Sequence, residues 1–306
     1  MVIKENEYSP KFGIVSFLDI LGTKSIWEDN KAQEFLTKVD KLYDEFEVLS
    51  EELSEKMLLL KNTNYKIGNT ESMPFKENGT IPQLGIDIST FSDTIILALY
   101  GDFPISDSFF LYLTSFFLIP LFGRAFVQRI YLRGTLSIGK FFLLKRNNGV
   151  LLVGPAVNDA AQSYENADWI GSSASPNASL TLEQEHTFDE ILGIDIDMSA
   201  SFQESTINLK NHFSIVKNCF IQYDIPTKNT AGRNGWALAW PNFFDGGDFY
   251  HTQKEIKQVF DEELSYQKYQ QTSISNDIYR KFRNTKDFFD FSIREKGLID
   301  CDSIQN

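Results

Sequence analysis

Apolar residues follow two rhythms along this chain, and the switches between them outline its elements. Phe12 to Leu18 is a compact run carrying Ile14, Val15 and Phe17, which predicts a buried strand that ends at the turn marked by Gly22. From Lys31 to Lys61, Phe35, Leu36, Val39, Leu42, Phe46, Leu49 and Leu53 recur mostly every three or four positions, the pattern of a long amphipathic helix with a solvated charged face. Residues 62 to 82 are rich in Asn, Gly, Thr and Pro and show no period, so they predict a surface loop or insertion. Leu84 to Thr90 and Thr94 to Tyr100 then flank Phe91-Ser92-Asp93 at the spacing of a hairpin whose tip presents the aspartate.

Beyond Pro104, Ser106 or Asp107 can cap a helix running to about Ile130, with Pro120 as a possible break. Its apolar stretch, Phe109 to Gly123, is shorter than the ~20 residues that span a bilayer, so it reads as a core helix. A strand pair follows, Tyr131 to Phe142 and Val150 to Val153, around the turn Arg146-Asn147-Asn148-Gly149. Pro155 suits the first turn of a helix continuing through Tyr164, and a short strand is expected near Ile170 to Ala174. Further on, Leu209 to Tyr223 could hold a strand, and Trp236, Trp240 and Phe243 are expected to seal this region against the core. His251 to Gln271 and Asn276 to Phe291 have helical periodicity. The expected organisation is a core over residues 1–178, with the insertion at 62–82, and an appended, largely helical region over 179–306 packing on it.

Composition narrows the functional classes. The formal charge of -13 argues against nonspecific contact with nucleic-acid backbones, which needs clustered Lys and Arg. Cys219 and Cys301 lie in unrelated contexts, so neither a disulfide framework nor a cysteine-rich zinc site is expected, and a reducing cytoplasmic setting fits. The first residues lack the apolar core of a secretory signal. His186, His212 and His251 show no ligand spacing, and Asp245-Gly246-Gly247-Asp248 reads as a turn.

The candidate chemistry lies in Asp19 and Asp93, each at the lip of an apolar strand. Burying a carboxylate is costly unless a charge pairs with it, and two such residues suggest a shared divalent cation. The order strand with Asp, long helix, hairpin with Asp, helix, strand pair, helix describes an α+β, ferredoxin-like sheet of the polymerase-palm type. Two Mg²⁺ or Mn²⁺ ions held there would screen a triphosphate and activate an attacking hydroxyl.

Four segments in order resemble the class III nucleotidyl cyclases, the family of adenylate and guanylate cyclases. They are Phe17-Leu18-Asp19-Ile20-Leu21-Gly22-Thr23, Phe91-Ser92-Asp93-Thr94, Arg133-Gly134-Thr135-Leu136-Ser137-Ile138-Gly139 and Gly154-Pro155-Ala156-Val157-Asn158-Asp159-Ala160-Ala161. The resemblance implies that Asp19 and Asp93 bind two metal ions, that backbone amides of Ile20, Leu21, Gly22 and Thr23 cradle the triphosphate, and that Asn158 orients the ribose. It also implies a homodimer, in which Asn158 works with the aspartates of the other protomer.

Departures from the purine cyclases shape the substrate expectation. Where their transition-state arginine lies, this chain has Gln162, so that role is lost or falls to a cation such as Arg133, Lys140 or Lys24. Ser89 and Leu151 stand at the positions that read the base, and neither supplies the partner expected for a purine. Gly154-Pro155-Ala156 with Tyr164-Glu165-Asn166-Ala167-Asp168-Trp169 resembles the pyrimidine cyclases of Pycsar antiphage systems. That resemblance implies conversion of CTP or UTP to cyclic CMP or cyclic UMP, read by a separate cyclic-nucleotide-activated effector. A purine cyclase, another palm nucleotidyltransferase and a catalytically inactive nucleotide sensor are the alternatives.

Overall fold

A computed structural model of the chain describes residues 9–22, 32–61, 65–67, 70–73, 84–101, 107–146, 149–164, 166–186, 219–228, 232–243, 249–270 and 273–295. Its framework is β1 (Lys11–Ile20), α1 (Ala32–Lys61), β4 (Leu84–Phe91), β5 (Thr94–Gly101), α2 (Asp107–Val127) and β6 (Leu132–Arg146). The four strands lie in the order β4-β5-β1-β6, every neighbour antiparallel, which is the ferredoxin-like arrangement expected from the sequence. Between α1 and β4 the expected loop contains a short hairpin, β2 (Tyr65–Ile67) and β3 (Thr70–Met73). The Gly68-Asn69 step between two β-formers is the signal that an absent period concealed.

Side-chain alternation on β1 separates two environments. Ile14, Leu18 and Ile20 join the main core with Leu42, Phe46 and Leu49 of α1 and Phe110, Phe117 and Leu121 of α2. Val15 and Phe17 face the other way, into a smaller cluster with Ala98, Phe141, Ala156 and Val157. Asp19 continues that second face, because strand side chains alternate. The helix α2 runs unbroken through Pro120 and is buried along most of its length. It ends with Arg129 at φ 62°, where the Arg129 amide donates to Phe126 O and the Ile130 amide to Ala125 O, a Schellman closure that feeds the chain into β6. Among the described residues no helix is long and apolar enough to cross a membrane.

β6 hairpins into β7 (Gly149–Val153), and Gly154 then turns into α3 (Pro155–Tyr164). Gly154 has φ 146°, and a Cβ there would lie 2.7 Å from Phe141 Cα, so the Gly-Pro step lets α3 sit close on the sheet. Gly13 meets the same demand in β1, where a Cβ would fall 2.0 Å from Leu99 O. Gly13→Ala therefore forces β1 and β5 apart; we expect a loss of ~2 kcal/mol or more in urea unfolding, with an unchanged m value.

After residue 164 the chain adds β8 (Gly171–Ala174), α4 (Pro176–His186), β9 (Phe220–Ile225), β10 (Arg233–Leu238), a 3₁₀ turn at Trp240–Phe243, α5 (Phe249–Gln270) and α6 (Ser273–Glu295). β8 pairs in parallel with β6, and β10 and β9 pair beyond it, so the sheet reads β4-β5-β1-β6-β8-β10-β9. Trp236 and Trp240 are buried, and Phe126 of α2 gathers Trp240, Phe260 and Phe282 at ring separations of 5.3, 4.7 and 6.4 Å. The expected sealing role of Trp236 and Trp240 holds. Leu209 to residue 218, the Asp245–Asp248 turn, His212 and Cys301 lie outside the described residues.

Candidate active site

Strand register brings the two aspartates to one end of the sheet. Asp19 is directly opposite Thr94 of β5 and Arg133 of β6, and the amide of Ile20 donates to Asp93 O at 2.9 Å. Asp93 occupies the two-residue hairpin loop with Ser92, whose φ of 59° is rare for a residue with a side chain. The local strain is spent on presenting Asp93 beside Asp19.

Asp19 is not solitary in its half-buried niche. Arg133 Nη2 donates to its Oδ2 at 2.6 Å, with side-chain exposures of only 9% for the arginine and 15% for the aspartate. Burial pushes the Asp19 carboxyl above the ordinary aspartate value; Arg133 pulls against that, Asp93 adds to it, and Lys281 opposes it. Arg133 Nη1 donates to Ala167 O at 3.1 Å, its guanidinium lies 5.8 Å from the Tyr164 ring, and its Nε is buried without a hydrogen-bond partner. Tyr164 in turn stacks on Phe17 at 5.9 Å. Arg133 is thus the resident counterion of Asp19, held by β6, α3 and the segment after it.

On the same face β6 carries Thr135 and Ser137, both fully buried, and β8 carries Ser173. Ser137 Oγ donates to Asp159 Oδ2 at 2.6 Å, which fixes α3 against the sheet and leaves its neighbour Asn158 exposed. The Asn158 amide donates to Gly154 O, an ordinary helical bond. Asp19, Asp93, Arg133 and Asn158 therefore belong to one face, the first three at the strand ends and the last on the helix that covers it.

Other expectations meet a different outcome. The amides of Ile20 and Leu21 are already used, the first by Asp93 O and the second by Tyr131 O at 2.8 Å, because β1 keeps its ladder to its last residue. In this structure both amides are therefore engaged within the sheet end. The turn residue Gly22, at φ 87°, stands beyond that ladder. Thr23 and Lys24 lie outside the described residues. Lys140 is seven residues along β6 from Arg133, roughly 23 Å at strand rise, and pairs with Phe12 far from Asp19. Ser89 is half-buried on the edge strand β4, and Leu151 is exposed on β7.

Periodicity could not reveal the contribution of α6. Its Asn284 Nδ2 donates to Asp168 O at 2.8 Å, the Ile170 amide donates to Thr285 Oγ1 at 2.7 Å, Arg280 pairs with the buried Asp168, and Phe282 packs edge-on against Tyr131 at 4.7 Å. These contacts lay α6 across the strand ends where Asp19 and Arg133 sit. They also bring Lys281 within electrostatic reach of both. Its ammonium is held below the usual lysine value, first by burial and then by Arg133, with Lys228 adding to the effect. Asp168-Trp169, noted in the sequence only for a family likeness, is the anchor: Trp169 is fully buried and packs edge-on against Phe288.

Two carboxylates in electrostatic contact at a partly buried strand end are hard oxygen donors suited to Mg²⁺ or Mn²⁺. Among the described residues no third His, Cys, Asp or Glu joins them. Water and phosphate oxygens would fill the remaining positions, as Mg²⁺ sites prefer.

No protein-family model matches the chain, and no curated protein matches it. Solved structures similar to it include the guanylyl cyclase domain of the RhoGC fusion protein from the aquatic fungus Blastocladiella emersonii, at 14% identity over 58% of this chain and 89% of that one, with a TM-score of 0.39. The adenylyl cyclase CyaB from P. aeruginosa is similar at 12% identity over 76% of this chain and 95% of that one, with a TM-score of 0.40.

Proposed function

We propose that the chain is a divalent-metal-dependent nucleotidyl cyclase acting on a pyrimidine nucleoside triphosphate, CTP or UTP. The observation that carries this reading is the meeting of Asp19 and Asp93 at one end of a ferredoxin-like sheet, on the face that α3 covers with Asn158. Metal held by the two carboxylates would supply charge stabilisation for the triphosphate and for the attacking hydroxyl. The substrate's 3′-oxygen bonds to the α-phosphorus, the bond to the pyrophosphate leaving group breaks, and the hydroxyl proton departs. Arg133 holds the Asp19 carboxylate in position, and the stretch Ile20, Leu21, Gly22 and Thr23 is the candidate phosphate-binding segment.

Asn158 acts on the ribose bound at the aspartates of a second protomer. A self-association surface supports that arrangement: Phe142, Leu151 and Val153 share one face of the β6–β7 hairpin and are 43, 54 and 47% exposed, while Leu143 and Leu152 on the other face pack inward. The physiological reading is a cytoplasmic alarm enzyme of antiphage defence whose product switches on a separate effector. Ser89 and Leu151 are its base-reading candidates, and neither side chain carries the charge or amide suited to a purine.

A second reading, a nucleotide sensor without turnover, is favoured by Arg133, whose guanidinium already occupies Oδ2 of Asp19. Incubation of the pure protein with each of the four nucleoside triphosphates and Mn²⁺ separates them. Cyclic CMP or cyclic UMP with equimolar pyrophosphate is the expected product. Binding seen by calorimetry with no product would select the sensor, and a cyclic purine product would overturn the base assignment.

A further inference from the structure

A cavity of about 310 Å³ lies on the active-site side of the sheet, beginning at β8 beside the strand of Arg133, between the C-terminal end of α3 and the β9–β10 hairpin. Its polar lining comes from Ser163, Asn166, Ser173, Thr227, Lys228 and Arg233, and Gly235 adds no side chain to it. The strands around it are continuous with the core sheet, and two backbone contacts join its walls. Lys228 donates its amide to Asn166 O at 3.1 Å, and Ala167 forms an isolated bridge with Thr227. The cavity is therefore built on paired backbone, and its volume suits a small metabolite.

Charge identifies the occupant. The chain carries a formal charge of -13, yet the described residues lining this cavity include two cations and no carboxylate. One of them, Lys228, is in electrostatic reach of Lys281, which also feels Arg133 and the carboxylates of Asp168 and Asp277. Two cations lining one cavity without a carboxylate among the described lining residues favour an anionic occupant. A guanidinium fork, an ammonium, three hydroxyls and a carboxamide around one space match the several acceptor oxygens of a phosphate better than a single carboxylate.

We propose that this cavity is a binding site for a phosphate-bearing small molecule of mononucleotide size, separate from the carboxylate pair of Asp19 and Asp93. Arg233 and Lys228 hold the phosphate, and the wall of Ser163, Ala167, Ile225 and Gly235 receives the body of the molecule. The site goes beyond the cyclase reading, since it requires neither metal nor turnover.

Calorimetric titration of the full chain in EDTA, with cytidine 5′-monophosphate, pyrophosphate and cytidine as probes, tests it. The nucleotide and pyrophosphate are expected to bind, with affinity at least tenfold above that of cytidine, and to bind Asp93→Ala as tightly as the original chain. Lys228→Glu with Arg233→Glu is expected to weaken binding at least tenfold at an unchanged melting temperature, because both side chains are exposed. Ser163→Phe, which fills the space from the opposite wall, is expected to do the same. Absence of binding by either phosphate probe, equal affinity for cytidine, loss in Asp93→Ala, or unchanged affinity in the charge-reversed and filled variants would each overturn the assignment. None of these arms reads cyclase activity, so failure of the proposed reaction leaves the result interpretable.

Discussion

Asp93→Ala should abolish cyclic-nucleotide formation, with kcat/KM falling by at least about 10³-fold, the equivalent of roughly 4 kcal/mol of lost transition-state stabilisation. The hairpin that carries Asp93 is held by the ladder of β5 to β1 and by a tip contact through the main-chain carbonyl of Asp93, neither of which the substitution removes. An unchanged melting temperature with lost activity is the expected pairing. Asp19→Ala should abolish activity equally but also disturb stability, because it strands Arg133 in a buried position. The contrast between the two variants separates a metal ligand from a structural carboxylate. Activity of Asp93→Ala within tenfold of the original at saturating Mn²⁺ would remove the aspartate pair from the mechanism.

The sheet core was legible because each of its elements announces itself locally. β1, the β4–β5 hairpin, α2 and the Asn-Gly turn between β6 and β7 combine periodicity with turn chemistry over a few residues. The strands β9 and β10 were harder to read, because β10 is the run Arg-Asn-Gly-Trp-Ala-Leu, whose exposed end and single glycine break the alternation. What makes it a strand is the edge left open by β8, a long-range partner that local pattern does not contain. The active site divides the same way. Asp19 and Asp93 stand out as acids in apolar strands, and their meeting follows from topology. Lys281, on an amphipathic helix of many charges, looks like any surface lysine until Asp168 and Thr285 fix where α6 lies. Ile20 and Leu21 show the converse: the motif reads as a loop of free amides, while the structure keeps both amides hydrogen-bonded at the strand end.

Replacement of Arg133 by Met should cost about 3–5 kcal/mol at pH 8, since removing one partner of a buried pair leaves the other charge uncompensated. The cost should shrink as pH falls. Burial already places the folded Asp19 carboxyl above its ordinary value, and Arg133 is the strongest influence lowering it, so the variant's carboxyl rises further. A folded state that binds this proton more tightly than the unfolded chain gains stability from the group as pH drops through the raised value toward the ordinary one near 3.8, and loses it as pH rises. Measured as the difference between Arg133→Met and the original chain, the deficit in urea unfolding should be largest at pH 8 and smallest near pH 5. Adding Asp19→Asn to Arg133→Met should remove most of the remaining pH dependence. A Mn²⁺ ion that shares Asp19 with Arg133 must work against the guanidinium in the original chain and not in the variant. Mn²⁺ should therefore raise the melting temperature of Arg133→Met more than that of the original chain, and Asp93→Ala should cancel the difference. A deficit constant with pH, or an equal shift with Mn²⁺ in both proteins, would mean that Arg133 serves packing alone and that the cation does not enter at Asp19.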